Sequence, residues 1–389
     1  MAVMQGFPPA ETDRATLANW RTRPYSAWAF HHVREVIPTA PIPHDPSAIW
    51  ALEQGAPILP DEEINALLAD TKNDALVILH KGKIVHESYR HGMTAQDPHI
   101  LMSVSKSMLG LLSGILADKG LLDVDALLTH YVPELAGTAY AGATVRQALD
   151  MRVGVDFVED YFVTSGPIIE YRKAANWNPL GAGEDAMDLR SFQSLLTEPD
   201  GPHGGRFHYA SPVTDLLGWV IERATGKRYA DVMAQHLWQP LGAETAGYIT
   251  VDRIGGARTA GGMCVTARDL ARVAQLIVQN GARDGAQVLP AAWLDDIWNG
   301  GDTEAWDQGD FADKFPGITM HYRSKCYVRH EATKLMHGLG IHGQYFFADP
   351  ARQLAIAWMS SEHDPINEEA PRRVMGVLER VRQAAEAAG

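Results

Sequence analysis

Ser103 and Lys106 lie three residues apart in an apolar run, LMSVSKSMLG, at residues 101–110. On a helix, residues at that spacing share one face about a turn apart. A serine at a helix N-terminus meets free backbone N–H groups and the positive end of the dipole, both of which favour an oxyanion. A lysine packed among apolar neighbours is disfavoured in its charged form, so its pKa falls. A partly neutral lysine can take the serine's proton, which makes the pair an activated nucleophile for acyl transfer. The tetrapeptide alone is weak, since Ser-x-x-Lys arises by chance about once in a chain of this length. Ser103 could be only an N-cap, with Lys106 reaching out to water.

Two further segments carry compatible chemistry. In RFHYASPVTDLLGWVIE (206–222), Tyr209 and Ser211 stand just before a helix start. A tyrosine there can relay a proton between nucleophile and leaving group if a cation holds its pKa down. In HGLGIHGQYFFADP (337–350), glycines lead into an apolar strand. They allow close backbone approach, and a backbone N–H there can complete an oxyanion hole. Each has a plainer reading, a core tyrosine and a turn respectively.

These residues need elements to hold them. A hairpin is expected from 75–80 (ALVILH) and 84–89 (IVHESY), joined by Lys81-Gly82-Lys83. The helix carrying Ser103 should end at Gly120, with Met108, Leu111, Leu112, Ile115 and Leu116 at helical spacing. From about 130 to 260 the pattern is mostly helical with long loops, including 145–151, 186–196 and 211–226. Thr266 should cap a helix over 266–281. Strands return at 344–348 and 353–360, and a closing helix at 371–387 shows Val374, Val377, Leu378 and Val381 on one face. Residues 1–60, rich in Pro and Trp without periodicity, are expected to wrap the surface. Strands near both ends with helices between them imply one sheet built from both ends and a helical insertion.

Composition narrows the function. The chain has 389 residues, 46% hydrophobic and 21% charged, enough for a large core, and its net charge of −14 comes without a basic block. Nucleic acid and anionic membrane surfaces are therefore not expected partners. Two cysteines, Cys264 and Cys326, make neither a disulfide framework nor a thiolate metal site. The closest histidine groupings, His31-His32 and His337/His342, lack a metal-ligand spacing with a carboxylate, so no metal or other cofactor is expected. No run approaches the ~18 apolar residues that span a bilayer. The N-terminus lacks a basic segment followed by an apolar one, so a cytoplasmic location is expected.

In this order, Ser-x-x-Lys at the start of a buried helix, Tyr-x-Ser about a hundred residues on, and a His-Gly on a late strand resemble the class C β-lactamase-like serine hydrolases. More closely, LMSVSKS, YVPELAG (131–137), FHYAS, TARDLARV (266–273) and GLGIHGQ (338–344) resemble the 6-aminohexanoate-dimer hydrolases and related carboxylesterases. The resemblance runs from about residue 20 to 389. It implies a two-lobed α/β fold of the penicillin-recognising type, an antiparallel sheet flanked by helices plus an all-helical lobe. In this chain the α/β lobe would take about 20–105 and 265–389, and the helical lobe with its lid about 106–264, all within one catalytic unit. Carried over, Ser103 is the nucleophile, Lys106 its activator and Tyr209 the proton relay. The N–H groups of Ser103 and Ile341 form the oxyanion hole. Tyr161 would be a lid tyrosine donating to a substrate amide, Trp177 would line the acyl pocket, and His342 and Gly343 would lie beside the substrate.

Two departures stand out. Where β-lactamases and penicillin-binding proteins have Lys-Thr-Gly and Tyr-x-Asn, this chain has Ile341-His342-Gly343 and Tyr209-Ala210-Ser211. The loss of that cation argues against antibiotic turnover. Amide-cleaving members favour a lid carboxylate that receives a substrate ammonium, and that register falls on Arg172, with Glu159, Asp160 and Glu170 as other acidic groups nearby. The expected function is a serine hydrolase of small linear amides or esters acting through an acyl-enzyme. The alternatives are a short-acyl carboxylesterase with little amidase activity, a β-lactamase-like acylase, and a non-catalytic binding protein. The partner is a small molecule, and a homodimer is left open.

Overall fold

The computed structural model describes residues 3–389. The expected hairpin forms from Asn73–His80 and Lys83–Tyr89, with His80 paired to Lys83. Lys83 therefore belongs to the strand. The two-residue loop needs left-handed backbone at both positions, and Lys81 (φ 52°) and Gly82 (φ 77°) supply it.

Asn73–His80 pairs on its other edge with Leu354–Ser360, which joins the two ends of the chain at the centre of one sheet. The seven-stranded order is Lys83–Tyr89, Asn73–His80, Leu354–Ser360, Gln344–Asp349, Leu335–Gly340, Cys326–Arg329 and Met320–Arg323. All neighbours are antiparallel.

The continuous apolar reading of ALVILH has a simple cause. Successive strand side chains point to opposite faces, and helices cover both. Ala75, Val77 and Leu79 enter the main core with the Val104–Asp118 and Ala267–Val278 helices. Leu76 and Ile78 join Ile356, Trp358, Tyr345 and Phe347 against Val374, Val377, Leu378 and Val381 of the Glu369–Ala387 helix.

The helix ends follow their punctuation. Val104–Asp118 stops before Gly120 (φ 67°), and Ser211–Thr225 carries Pro212 in its first turn and ends on left-handed Gly226. The Thr266 side chain accepts from the Asp269 N–H, as the capping reading requires. The helices within 145–151 and 186–196 are shorter than expected, Val145–Leu149 and Leu189–Gln193.

Two expectations need correction. Residues 1–60 do more than wrap the surface, because Trp20, Phe30, Val33 and Ile37 are buried in the main core. The stretch read as helical to about 260 also contains strands. Gly247–Thr250 and Met263–Val265 form a four-stranded sheet with Thr39–Ile42 and His99–Ile100. Strands of two to four residues are too short to show a period, and their partners lie far off in sequence.

This small sheet delivers the chain to Ser103. His99–Ile100 runs beside Met263–Val265, and the Leu101 N–H donates to the Met263 carbonyl at 2.8 Å. The helix that follows is pinned by its own serines. Ser105 Oγ accepts from the Met263 N–H at 3.1 Å, and Ser107 Oγ donates to the Lys325 carbonyl at 2.8 Å.

Gly110 lets the Ser324 turn touch the same helix, since a Cβ there would sit 1.9 Å from the Ser324 carbonyl oxygen. Gly110→Ala should therefore destabilise the protein by about 1–3 kcal/mol, the usual cost of overpacking. The measurement is the denaturant midpoint of each protein. An unchanged midpoint would mean that the Ser324 turn withdraws without strain.

Candidate active site

Ser103 caps the Val104–Asp118 helix without a capping side-chain hydrogen bond, so its hydroxyl is left for other work. The residue before it, Met102, has φ 46°, a left-handed conformation that a long side chain seldom adopts. The sharp turn places Ser103 in the lining of a cleft.

Lys106 is buried, and its Nζ lies 2.9 Å from Ser103 Oγ and 2.7 Å from the Ala260 carbonyl oxygen. Its pKa is pulled down from 10.5 to about 7. Burial is the main cause and the Arg258 charge adds to it, against the opposing pull of Glu159 and Asp215. Ala260 is itself held by Asp215, whose Oδ1 accepts the Ala260 N–H at 2.8 Å. Asp215 in turn pairs with Arg258 and accepts from the Tyr171 hydroxyl at 2.5 Å. This buried network is what aims the lysine.

Tyr209 is also buried, and its ring centroid lies 4.9 Å from Lys106 Nζ. Its hydroxyl is electrostatically coupled to Ser103 and Tyr327. Its N–H donates to Asp310 at 2.8 Å, and its ring packs on Phe311. The condition of a lowered tyrosine pKa is not met. Burial and the Glu159 charge push it well above its ordinary value, so Tyr209 is a neutral phenol that can donate a proton.

The N–H groups of Ser103 and Ile341 have no hydrogen-bond partner among the described residues, and both residues line the cleft. Gly340 brings them together. A Cβ on Gly340 would lie 2.8 Å from the Leu101 carbonyl oxygen and 3.1 Å from the Ser103 nitrogen. Ile341-His342-Gly343 forms the turn between Leu335–Gly340 and Gln344–Asp349, and is not part of a strand as expected.

His342 points away from the cleft. Its Nδ1 donates to the Glu362 carbonyl at 2.9 Å, its ring meets Phe30 edge-on, and burial lowers its pKa to about 4. Neither His342 nor Gly343 lines the cleft, whereas Tyr161 and Trp177 both do. The Tyr161 hydroxyl donates to Glu159 at 2.6 Å, and Trp177 Nε1 donates to Thr250 Oγ1 at 3.1 Å. Asp160 is exposed and accepts from the Phe162 N–H, and Glu170 pairs with Lys173.

Several residues here had no signal in the sequence. Arg21, from the segment read as a wrapping arm, lines the cleft with Arg172 and Arg258. Asp215 reads as an ordinary helix residue. Lys325 is a second buried lysine, whose Nζ has no hydrogen-bond partner among the described residues. Among those residues no group of His, Cys, Asp and Glu is placed to hold a metal.

Helices on both faces of the antiparallel sheet, with a serine–lysine pair opening a buried helix, define a serine hydrolase of the β-lactamase type. The Beta-lactamase family model matches residues 61–378, and the chain belongs to this family. It is 36% identical over 364 residues to the 6-aminohexanoate-dimer hydrolase of Paenarthrobacter ureafaciens, covering 92% of this chain and 91% of that one. Esterase EstB of Burkholderia gladioli is 29% identical over 162 residues, covering 39% of this chain and 38% of the esterase. A Bacillus anthracis structure provisionally assigned as a 6-aminohexanoate-dimer hydrolase superposes with a TM-score of 0.86 at 25% identity, covering 98% of this chain and 99% of that one.

Two predictions follow from the geometry. A proton acceptor at about 7 should make kcat/KM rise with pH through about 7 and level off above it, because only neutral Lys106 can take the serine proton. A flat pH profile from 6 to 9 for a non-titrating ester would exclude Lys106 as that acceptor. Gly340→Ala should lower kcat by about 10²–10³, the loss of one oxyanion donor, by forcing the strand end off the Ser103 nitrogen. Steady-state kinetics on the folded variant checks this, and a wild-type kcat would refute it.

Proposed function

We propose that the chain cleaves small linear esters and amides through an acyl-enzyme on Ser103. The observation that carries this reading is Lys106 Nζ, 2.9 Å from Oγ with a pKa of about 7.

Lys106 takes the Oγ proton as Oγ attacks the substrate carbonyl carbon. The developing oxyanion accepts from the Ser103 and Ile341 N–H groups. The carbonyl–oxygen or carbonyl–nitrogen bond then breaks, and the leaving atom takes a proton from the Tyr209 hydroxyl, which Lys106 restores. Water attacks the acyl-enzyme with Lys106 again as base, releasing the acid and the free serine.

The amide side of the reading is supported by the 6-aminohexanoate-dimer hydrolase relative, and the ester side by the Burkholderia gladioli esterase. A second reading, a carboxylesterase with little amidase activity, is favoured by Arg172 in the cleft, since an arginine repels the ammonium end of a linear amide dimer.

Ser103→Ala should abolish hydrolysis while keeping the fold, and a fluorophosphonate should label the wild type at Ser103 alone. Lys106→Arg should fail nearly as badly as Lys106→Ala, because arginine keeps the charge without acting as a base. Tyr209→Phe should harm amide cleavage more than activated-ester cleavage, since an amine leaves only when protonated and a phenoxide does not. Peptide mass mapping and kcat/KM for matched ester and amide pairs are the measurements. Label on another residue, or near-normal turnover by Lys106→Arg, would sink the serine–lysine mechanism.

A further inference from the structure

The wall of the cleft around Trp177 carries positive charge that its own residues do not neutralise. Arg21, Arg172 and Arg258 all line the same cleft as Ser103. Arg258 is spoken for, since it pairs with buried Asp215 and touches the Tyr171 hydroxyl. The other two have no carboxylate within salt-bridge distance among the described residues. Arg21 donates to the Asn178 side-chain oxygen and lies against the rings of Trp20 and Trp177, 5.5 and 5.9 Å from their centroids. Arg172 makes one long hydrogen bond, 3.5 Å, to the Tyr161 carbonyl oxygen and lies over the Tyr161 ring, 5.8 Å from its centroid.

These two charges sense each other. Burial and the charges of Arg172 and Arg258 pull the Arg21 pKa down from 12.5 to about 9, which still leaves it protonated at neutral pH. The acidic groups facing them offset the pair only in part: Glu159 and Asp160 act on Arg172, while the cleft lining holds three guanidinium groups and one carboxylate. Glu159, the carboxylate in the cleft, already accepts from the Tyr161 hydroxyl at 2.6 Å, the Ser211 N–H at 2.7 Å and the Ser211 hydroxyl at 2.6 Å. Asp160 is exposed and lies outside the cleft lining.

The position of the pair relative to the chemistry is also informative. Tyr209, the donor to the leaving group, packs in a separate apolar cluster with Phe207, Tyr322 and Tyr327. Trp177 belongs to the main core with Trp20 and Phe30, and sits 3.0 Å from where a Gly261 Cβ would be. Arg21 is thus on the Trp177 wall, and Arg172 faces the same cleft from beside the Tyr161 ring.

We propose that Arg21 and Arg172 form an anion subsite for the acyl half of the substrate, so that the preferred acyl group ends in a carboxylate. A guanidinium pair binds such a group through charge-assisted, paired N–H donors. The substrate class is the half-ester or half-amide of a linear dicarboxylic acid. This rests on Ser103 being the acylated nucleophile.

The test uses three p-nitrophenyl esters of equal acyl length and one leaving group: the adipic acid monoester, the hexanoate and the 6-aminohexanoate. In wild-type protein, kcat/KM should rank adipate above hexanoate above 6-aminohexanoate. The first and last should differ by about tenfold or more, the discrimination one charge-assisted hydrogen bond supplies. Arg21→Gln and Arg172→Gln should each lower the adipate-to-hexanoate ratio by about tenfold, and Arg172→Asp should shift the ranking toward 6-aminohexanoate. Equal rates on adipate and hexanoate would overturn the subsite and leave the hydrolase intact. A wild-type preference for 6-aminohexanoate would overturn it too, and would assign charge selection to Glu159. Silence on all three esters with Ser103 unlabelled would overturn the hydrolase reading and the subsite together. The wild-type ranking does not depend on how well any variant folds.

Discussion

A lysine shut into an apolar helix beside a serine is the constraint on which the rest of this structure turns. Burial takes hydration from the Lys106 ammonium, and no carboxylate touches it in return. A pKa drawn down from 10.5 to about 7 corresponds to roughly 5 kcal/mol against the ammonium. The folded-state value is the lower one, so the unfolded chain binds the proton more tightly between pH 7 and 10.5. The cost is therefore fully present below about 7 and fades as pH rises toward 10.5. The fold tolerates this cost because the small sheet, the Gly110 contact and the buried helix together leave Lys106 nowhere else to go.

Two titratable groups flank Ser103, and the same burial moves them in opposite chemical senses. It makes the lysine a weaker base, able to stand neutral near pH 7, and it makes the tyrosine a weaker acid that keeps its proton. In the proposed mechanism that division gives proton acceptance to Lys106 and proton donation to Tyr209, the pattern by which one site runs both halves of an acyl transfer. The Asp215–Arg258 pair sets the geometry of the first group through Ala260. Asp310 and Phe311 set that of the second. A buried ion pair of this kind is a weak source of stability, and its value here is orientation.

The remaining charges in the cleft are arranged by what they do not contact. Glu159 is fastened by Ser211 and Tyr161, so it closes one wall with its oxygens already hydrogen-bonded. Arg21 and Arg172 are left with neutral partners. In the proposed subsite the guanidinium groups outnumber the one cleft carboxylate, so the charge offered to a substrate is the reverse of the one an acidic lid residue would give.

Much of this was legible from residue types and local spacing. Ser103, Lys106 and Tyr209 stand in motifs whose chemistry can be stated without coordinates. The hairpin at Lys81-Gly82, the caps at Thr266 and Gly226 and the apolar face of the last helix follow from rules acting over a few residues. The short strands Gly247–Thr250 and Met263–Val265 escaped because pairing with Thr39–Ile42 and His99–Ile100 decides them, and no period shows over so few residues. The turn at Ile341-His342-Gly343, with His342 facing Glu362 and Phe30, was misplaced on a strand for the same reason. Arg21, Asp215 and Arg258 carry no motif, since they lie well away from Ser103 in sequence and reach its surroundings only when the fold closes. The proposed nucleophile and its base are one helical turn apart, so the local sequence can specify them. The charges of the proposed subsite come from separate elements, and only tertiary packing brings those together.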